Sequence, residues 1–241
     1  MKLISLNIQG NLHLDTWIPW VQKQSPDILC IQEMYEDAFH ITQKELGYEG
    51  VYRSTAIVPE HYAGSKKNGT SYLWGNATFS KTKFLSHESL FFAGGAHDMS
   101  YRTHETSNRA VIITKIQPAG EGVYCVANTH FTWSDNGLNS DYQRDAWKTL
   151  SGILAPHTEL IFCGDMNVPR GTALAAEMAS SFVDCIPTEI ESSLDEKLHR
   201  AGHLKRMVDH LLVRGRIQCT SCVLQSGLSD HKGIVATFEN Y

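Results

Sequence analysis

Short apolar runs that stop at a polar or charged residue set the strongest constraint on this chain. Lys2 to Leu6 reads as a strand and ends at Asn7, and Ile28 to Ile31 ends at Gln32-Glu33. Residues 123–129 end at His130, 159–163 run into Gly164-Asp165-Met166-Asn167, and 233–238 follow Ser229-Asp230-His231. Further strands are expected at 48–53, 71–80, 82–92, 109–117, 207–213 and 217–225. Pro118 to Gly122 turns one of these into the next and predicts a hairpin. Helical spacing is confined to Leu14, Trp17, Ile18 and Val21, to 36–46, to 139–154 (Tyr142, Ala146, Leu150, Ile153, Leu154) and to a short piece near 172–179. Strands therefore outnumber helices, and the helices fall between strand pairs. Two packed sheets with helices outside, an α/β layered sandwich, meet that pattern.

A chain of 241 residues with 42% hydrophobic content can bury one sizeable core, and neither a repeat nor a linker divides it. One domain is expected over 1–241. The formal charge of −5 provides no global basic field, which argues against long-duplex nucleic acid held by unspecific phosphate attraction. Lys and Arg are scattered, with Lys66-Lys67 and Lys205-Arg206 as doublets. No secretory signal and no run long enough to cross a bilayer are evident, so a cytoplasmic location is expected. The six cysteines, mostly inside apolar runs, then read as buried thiols, and Cys219-x-x-Cys222 lacks the second pair a zinc site needs. The Asn-x-Thr sequons at Asn68 and Asn76 are expected to stay unmodified.

Rigid strand ends hold side chains well, and the set here suits metal-assisted attack on a phosphate ester. Magnesium takes hard oxygen ligands, commonly one or two carboxylates, and manganese can replace it. Glu33 is the first choice, with Asn7 adding a carbonyl oxygen or holding Glu33. An attacking water needs a carboxylate to draw off its proton, which fits Asp165, and Asn167 has an amide to donate to a phosphoryl oxygen or to fix the water. His130 and His231 are candidate donors to phosphoryl oxygens. Asp209 could pair with His231 and keep it protonated, and Arg109 could clamp the phosphate. Singly, each has an ordinary alternative: a turn, a core histidine, a surface ion pair. Their joint occurrence at strand ends is what counts.

Six strings in order, Ser5-Leu6-Asn7, Ile31-Gln32-Glu33, Asn128-Thr129-His130-Phe131, Gly164-Asp165-Met166-Asn167, Val208-Asp209-His210 and Ser229-Asp230-His231, resemble the endonuclease/exonuclease/phosphatase superfamily of magnesium-dependent phosphoesterases. The resemblance implies a four-layered α/β/β/α sandwich. It implies that Glu33 binds the metal with Asn7 and Asp230 close to it, and that Asp165 and Asn167 position water and phosphate. It implies that His130, and His231 supported by Asp209, contact phosphoryl oxygens, while Asp165 and His231 both stay open as the general base. A histidine at 130 departs from the tyrosine-centred motif of the abasic-site endonucleases, and Leu73-Trp74-Gly75-Asn76 lacks the acid that supports this histidine in some nucleases. The substrate expected is a phosphate ester, with nucleic acid or a nucleotide possible, and no protein partner is evident. A phosphodiesterase is preferred over a phosphomonoesterase or a phospholipid or inositol-phosphate head-group hydrolase, and an inactive binding protein of the same fold is the remaining alternative. Residues 93–102 and 133–137 are candidates for a rim that sets specificity, with Tyr101 and Trp133 able to stack a base.

Overall fold

The computed structural model describes residues 1–58, 72–101, 103 and 107–240. Lys66, Lys67, Asn68 and Arg102, and residue 71 of the expected strand 71–80, lie outside the described residues. The strands are β1 (Lys2–Asn7), β2 (Ile28–Tyr35), β3 (Glu49–Val58), β4 (Tyr72–Ser80), β5 (Ser86–Ala93), β6 (Arg109–Ile116), β7 (Tyr124–His130), β8 (Leu160–Asp165), β9 (Val183–Asp184), β10 (Asp209–Arg214), β11 (Ile217–Gln225) and β12 (Gly233–Asn240). The helices are α1 (Leu14–Gln24), α2 (Glu36–Leu46), α3 (Asp141–Leu154) and α4 (Ala173–Ala179). One six-stranded sheet runs β11-β12-β1-β2-β4-β3 and the other β5-β6-β7-β8-β10-β9. The expected hairpin is β6–β7. Strand β9, only two residues long, left no periodic signal to read.

Period two explains the layers. Ile4, Leu6, Leu29 and Ile31 face outward and pack with Trp17, Ile18 and Val21 of α1 and with Ala38 and Phe39 of α2. On the other sheet Val111, Ile113, Leu160 and Phe162 face Ala146, Trp147 and Leu150 of α3 and Leu174 and Met178 of α4. The alternate residues, Leu3, Ile28, Cys30, Val126, Ile161, Cys163, Leu211, Ile234 and Phe238, fill the space between the sheets. This is the expected four-layered sandwich. Start and stop signals agree: Ser140 and Thr172 accept from the Gln143 and Ala175 amides as N-caps. Left-handed Ser25 and Gly47 close α1 and α2, and Pro26 follows Ser25. Two details differ from the sequence reading. Tyr142, expected on the core face of α3, is exposed, and Gln143 is buried in its place. Its amide donates to the Thr132 carbonyl at 2.8 Å and the Asn167 carbonyl at 3.3 Å, so it braces the loop beside Asp165. The thiols also divide: Cys30, Cys125 and Cys163 are buried, whereas Cys185, Cys219 and Cys222 are only partly so.

Between the sheets the apolar layer turns polar toward one end. Gln32 Nε2 donates to Asn128 Oδ1 at 2.8 Å, across the sandwich. Asn128 Nδ2 donates in turn to the Ala77 carbonyl at 2.8 Å and the Ile31 carbonyl at 3.2 Å. Truncating Asn128 strands several buried groups at once. Asn128→Ala is expected to cost about 2–4 kcal/mol, read by urea unfolding, whereas a value under about 1 kcal/mol would show that the network relaxes.

Candidate active site

The same alternation that builds the inner layer delivers the polar residues. Asn7 continues the inward series Leu3, Ser5 of β1; His130 continues Val126, Asn128 of β7; Asp165 continues Ile161, Cys163 of β8; Asp209 begins Leu211, Val213 of β10. Register does the rest. His130 and Asp209 are the cross-strand partners of Asp165 on either side. The parallel pairs β1–β2 and β7–β8, each joined through a helix, present their C-terminal ends together, where open α/β sheets place ligands.

Asn7 Nδ2 donates to Asp165 Oδ2 at 3.0 Å and to Glu33 Oε1 at 3.2 Å, tying the two sheets together at the site. His130 Nε2 lies 3.5 Å from Asp165 Oδ2 and 3.9 Å from Glu33 Oε1. His231 Nε2 lies 3.8 Å from Asp165 Oδ2, and its Nδ1 bonds Asp209 Oδ2 at 2.7 Å. The Asn167 backbone N–H donates to Asp165 Oδ1 at 2.8 Å, and its amide donates to the Phe131 carbonyl at 3.2 Å. The hydroxyl of Ser193 accepts from both the Val208 and Asp209 amides at 3.0 Å, which fixes the start of β10. Every predicted site residue except Arg109 thus falls in one connected set or beside it. Arg109 lines the same cleft but is 2% exposed, with its guanidinium 5.7 Å from the Trp74 ring. It is part of the floor.

Backbone strain concentrates here. Gln9, Glu33, Asn136 and Asn167 are four of the five non-glycine residues with positive φ among the described residues, and all four line the cleft. A register shift in β2 between Ile31 and Met34 accompanies the φ of 61° at Glu33. That break turns Glu33 out of the strand's alternation and toward Asn7.

The carboxylates crowd one another. Burial, then the charge of Asp230, raises Glu33 to about 7. Burial also lifts Asp165 to about 6 despite the favourable charge of His231. His231 is held well above the usual imidazole value by Asp209 and Asp165, which outweigh its burial. Buried acids that repel one another while one remains 23% exposed suit a divalent cation. Glu33 and Asp230, with Asn7 steering Glu33, could hold one. Two further groups among the described residues have ligand atoms close enough for a cation: Asp165, Asp209 and His231, and His199, Asp230 and His231. The sign of the pH effect follows. Both acids bind protons more tightly in the folded chain than unfolded, so their contribution to metal-free stability falls as pH rises from about 4 through 7, against the opposite contribution of His199 and His210, which burial holds below the usual imidazole value. Thermal midpoints measured in EDTA should show that fall, Glu33→Gln should flatten it, and excess Mg²⁺ should restore stability most above pH 7. A midpoint independent of pH across this window would remove the charge-crowding argument.

The cleft, about 620 Å³, also contains residues that sequence reasoning passed over. Trp74 meets His130 edge-on, with ring centroids 5.4 Å apart, on the strand where some nucleases carry an acid. Trp133 to Gly137 form one wall, as expected for a rim. Residues 93–101 do not line it, and Tyr101 packs instead against the α1–α2 core. The opposite wall comes from Leu194 to Arg206, a stretch without regular structure. Its only advance signal was composition: six of the ten residues 197–206 are Lys, His or Arg. The stretch is held by Asp195 N–H to the Asp230 carbonyl at 2.8 Å and Lys232 N–H to the Ser193 carbonyl at 2.7 Å.

Residues 4–231 match the model of the endonuclease/exonuclease/phosphatase family. Among solved structures, an endonuclease/exonuclease/phosphatase from Bacteroides vulgatus aligns with TM-score 0.74 and 17% identity, over 100% of this chain and 98% of that one. The human Nocturnin catalytic domain with a bound sulfate anion aligns at 0.69 and 20%, over 100% and 93%. A mannosyl-6-phosphatase from Bacteroides thetaiotaomicron aligns at 0.69 and 12%, over 99% of each. At these identities the likeness is one of fold. No curated protein matches the sequence.

Proposed function

The chain belongs to the endonuclease/exonuclease/phosphatase family, whose members are phosphoesterase hydrolases, and we propose that it is a phosphodiesterase acting as one domain on a small or single-stranded nucleic-acid-like diester. One observation carries the reading: an acid raised to about 6, Asp165, stands between two imidazoles at 3.5 and 3.8 Å in the lining of a cleft. A carboxylate of that basicity is matched to accepting a proton from water near neutral pH. Asn167 and Asn7 hold both of its oxygens, so its direction is set before substrate arrives. His231, kept cationic by Asp209, donates from Nε2 to a phosphoryl oxygen, and His130 donates to another. Arg109, from the floor, adds positive charge beneath the phosphate. Glu33 and Asp230 would hold Mg²⁺, or Mn²⁺, which would supply positive charge to offset that on the phosphoryl and leaving oxygens. The free, partly exposed thiols accord with a cytoplasmic site of action.

The phosphatase among the structural neighbours keeps the monoester alternative in view. Parallel assays of bis-p-nitrophenyl phosphate and p-nitrophenyl phosphate, with Mg²⁺, Mn²⁺ or EDTA, separate the two. The diester is expected to be cleaved faster and only with metal. Preference for the monoester would replace the diesterase reading, and metal-independent cleavage would remove the role given to Glu33 and Asp230.

A further inference from the structure

His199 stands in the irregular wall, 32 residues before His231 in the chain, yet the two rings meet edge-on with centroids 5.5 Å apart. A ring nitrogen of His199, an Asp230 oxygen and a His231 nitrogen all lie within 4.8 Å of one another. That grouping invites a reading as a metal site. The hydrogen bonds argue otherwise. The Ala201 backbone N–H donates to His199 Nδ1 at 2.9 Å, so Nδ1 is an acceptor and the neutral ring carries its proton on Nε2. Metal ligation through Nε2 would move that proton to Nδ1, against the Ala201 N–H, and ligation through Nδ1 would break the turn. The Ala201 bond itself requires a neutral ring, because a protonated Nδ1 could not accept it. Its Nε2–H has no hydrogen-bond acceptor among the described residues. The same wall presents Arg200 and Arg206, and the Arg206 side chain makes no ion pair among the described residues. His199 is half-buried, so water serves this donor in the free cleft; a fixed donor in a cationic wall beside the proposed phosphate position is placed to exchange that water for an oxygen of the ligand.

We propose that His199 is a substrate-contacting residue that donates from Nε2 to an oxygen of the bound phosphate ester on the His231 side of the cleft. The inference rests on the phosphoesterase reading of the cleft and adds a specificity-determining contact to it.

A crossed pair of variants tests it. In His199→Asn the side-chain oxygen can still accept from Ala201 but nothing reaches the Nε2 position. In His199→Gln the amide nitrogen reaches that position and the Ala201 bond is lost. The readouts are the dissociation constant of inorganic phosphate, by calorimetry with Mg²⁺ present, and KM and kcat separately for bis-p-nitrophenyl phosphate. A substrate contact predicts that His199→Asn weakens phosphate binding and raises KM about tenfold, and that His199→Gln stays within about threefold of wild type. The reverse pattern, with Gln impaired and Asn near wild type, would make His199 only an anchor of its loop. No effect in either would also overturn the proposal. If wild type binds phosphate but turns over no ester, the phosphate constants still decide His199 while the diesterase reading fails. If wild type does not bind phosphate at all, both fall.

Discussion

Asp165→Asn is expected to lower kcat/KM by about 10³-fold while leaving the fold in place. The substitution keeps the shape and an acceptor for one of the Asn7 and Asn167 donors, gives up the other bond and the charge facing His231, and removes the ability to take a proton. It also removes a buried charge that folding has to desolvate, so the thermal midpoint should hold or rise slightly near neutral pH. The companion variant His231→Gln keeps a donor near the phosphoryl position but loses the cation that Asp209 maintains. The double variant separates the roles. If Asp165 and His231 act in one proton-transfer unit, the double variant is little worse than the poorer single one. Near-wild-type turnover by Asp165→Asn would move the base to His231, and near-wild-type turnover by both single variants would overturn the site. The residues by themselves point to Asp165 as the base, the family resemblance keeps His231 open beside it, and the two groups lie 3.8 Å apart.

Gly164→Ala is expected to destabilise the chain by about 4 kcal/mol, or a thermal midpoint lower by roughly 10 °C at this size. Gly164 has φ of 135°, a conformation that side chains rarely adopt, and an added Cβ would overlap the Thr129 carbonyl oxygen of the neighbouring strand. That atom is backbone inside a parallel pair, so relief requires β7 and β8 to move apart. His130 and Asp165 are the next pair in the same register, and activity should fall with stability. The control is Gly47→Ala at the end of α2, where φ is also positive but nothing lies within 4 Å of a new Cβ. Its cost is expected to be about 1 kcal/mol. A Gly164→Ala midpoint within about 2 °C of wild type would show that the strands do not approach as closely as described.

The layers, and most of the residues that gather in the candidate cleft, could be read from the sequence, for a physical reason. Period-two alternation is local, so the inward identity of Asn7, His130, Asp165 and Asp209 was fixed by their offset from Leu3, Val126, Ile161 and Leu211. Polar residues at the open end of an inward apolar series have few places to go except a shared cleft. Helix limits were local too, set by Ser140, Thr172, Gly47 and Pro26. Tyr142 misled because its offset fits the helical face, while the buried place belongs to Gln143, whose partners Thr132 and Asn167 are known only once the loops are folded.

The remaining features depended on which segments become neighbours. Glu33 departs from strand alternation through a positive φ and a register shift, and neither leaves a mark in residue type. Trp74 against His130 joins β4 to β7, strands of different sheets, and no periodicity within either one encodes that contact. His199 stands in a stretch with no regular element, and the Ala201 N–H that sets its proton exists only in that loop conformation. The sequence alone therefore determined the strands, their inward faces and the chemical type of the residues at their ends. The tertiary structure decided which of those ends meet and which loop closes over them, because contacts between sheets and the path of an irregular loop are long-range properties that local alternation cannot carry.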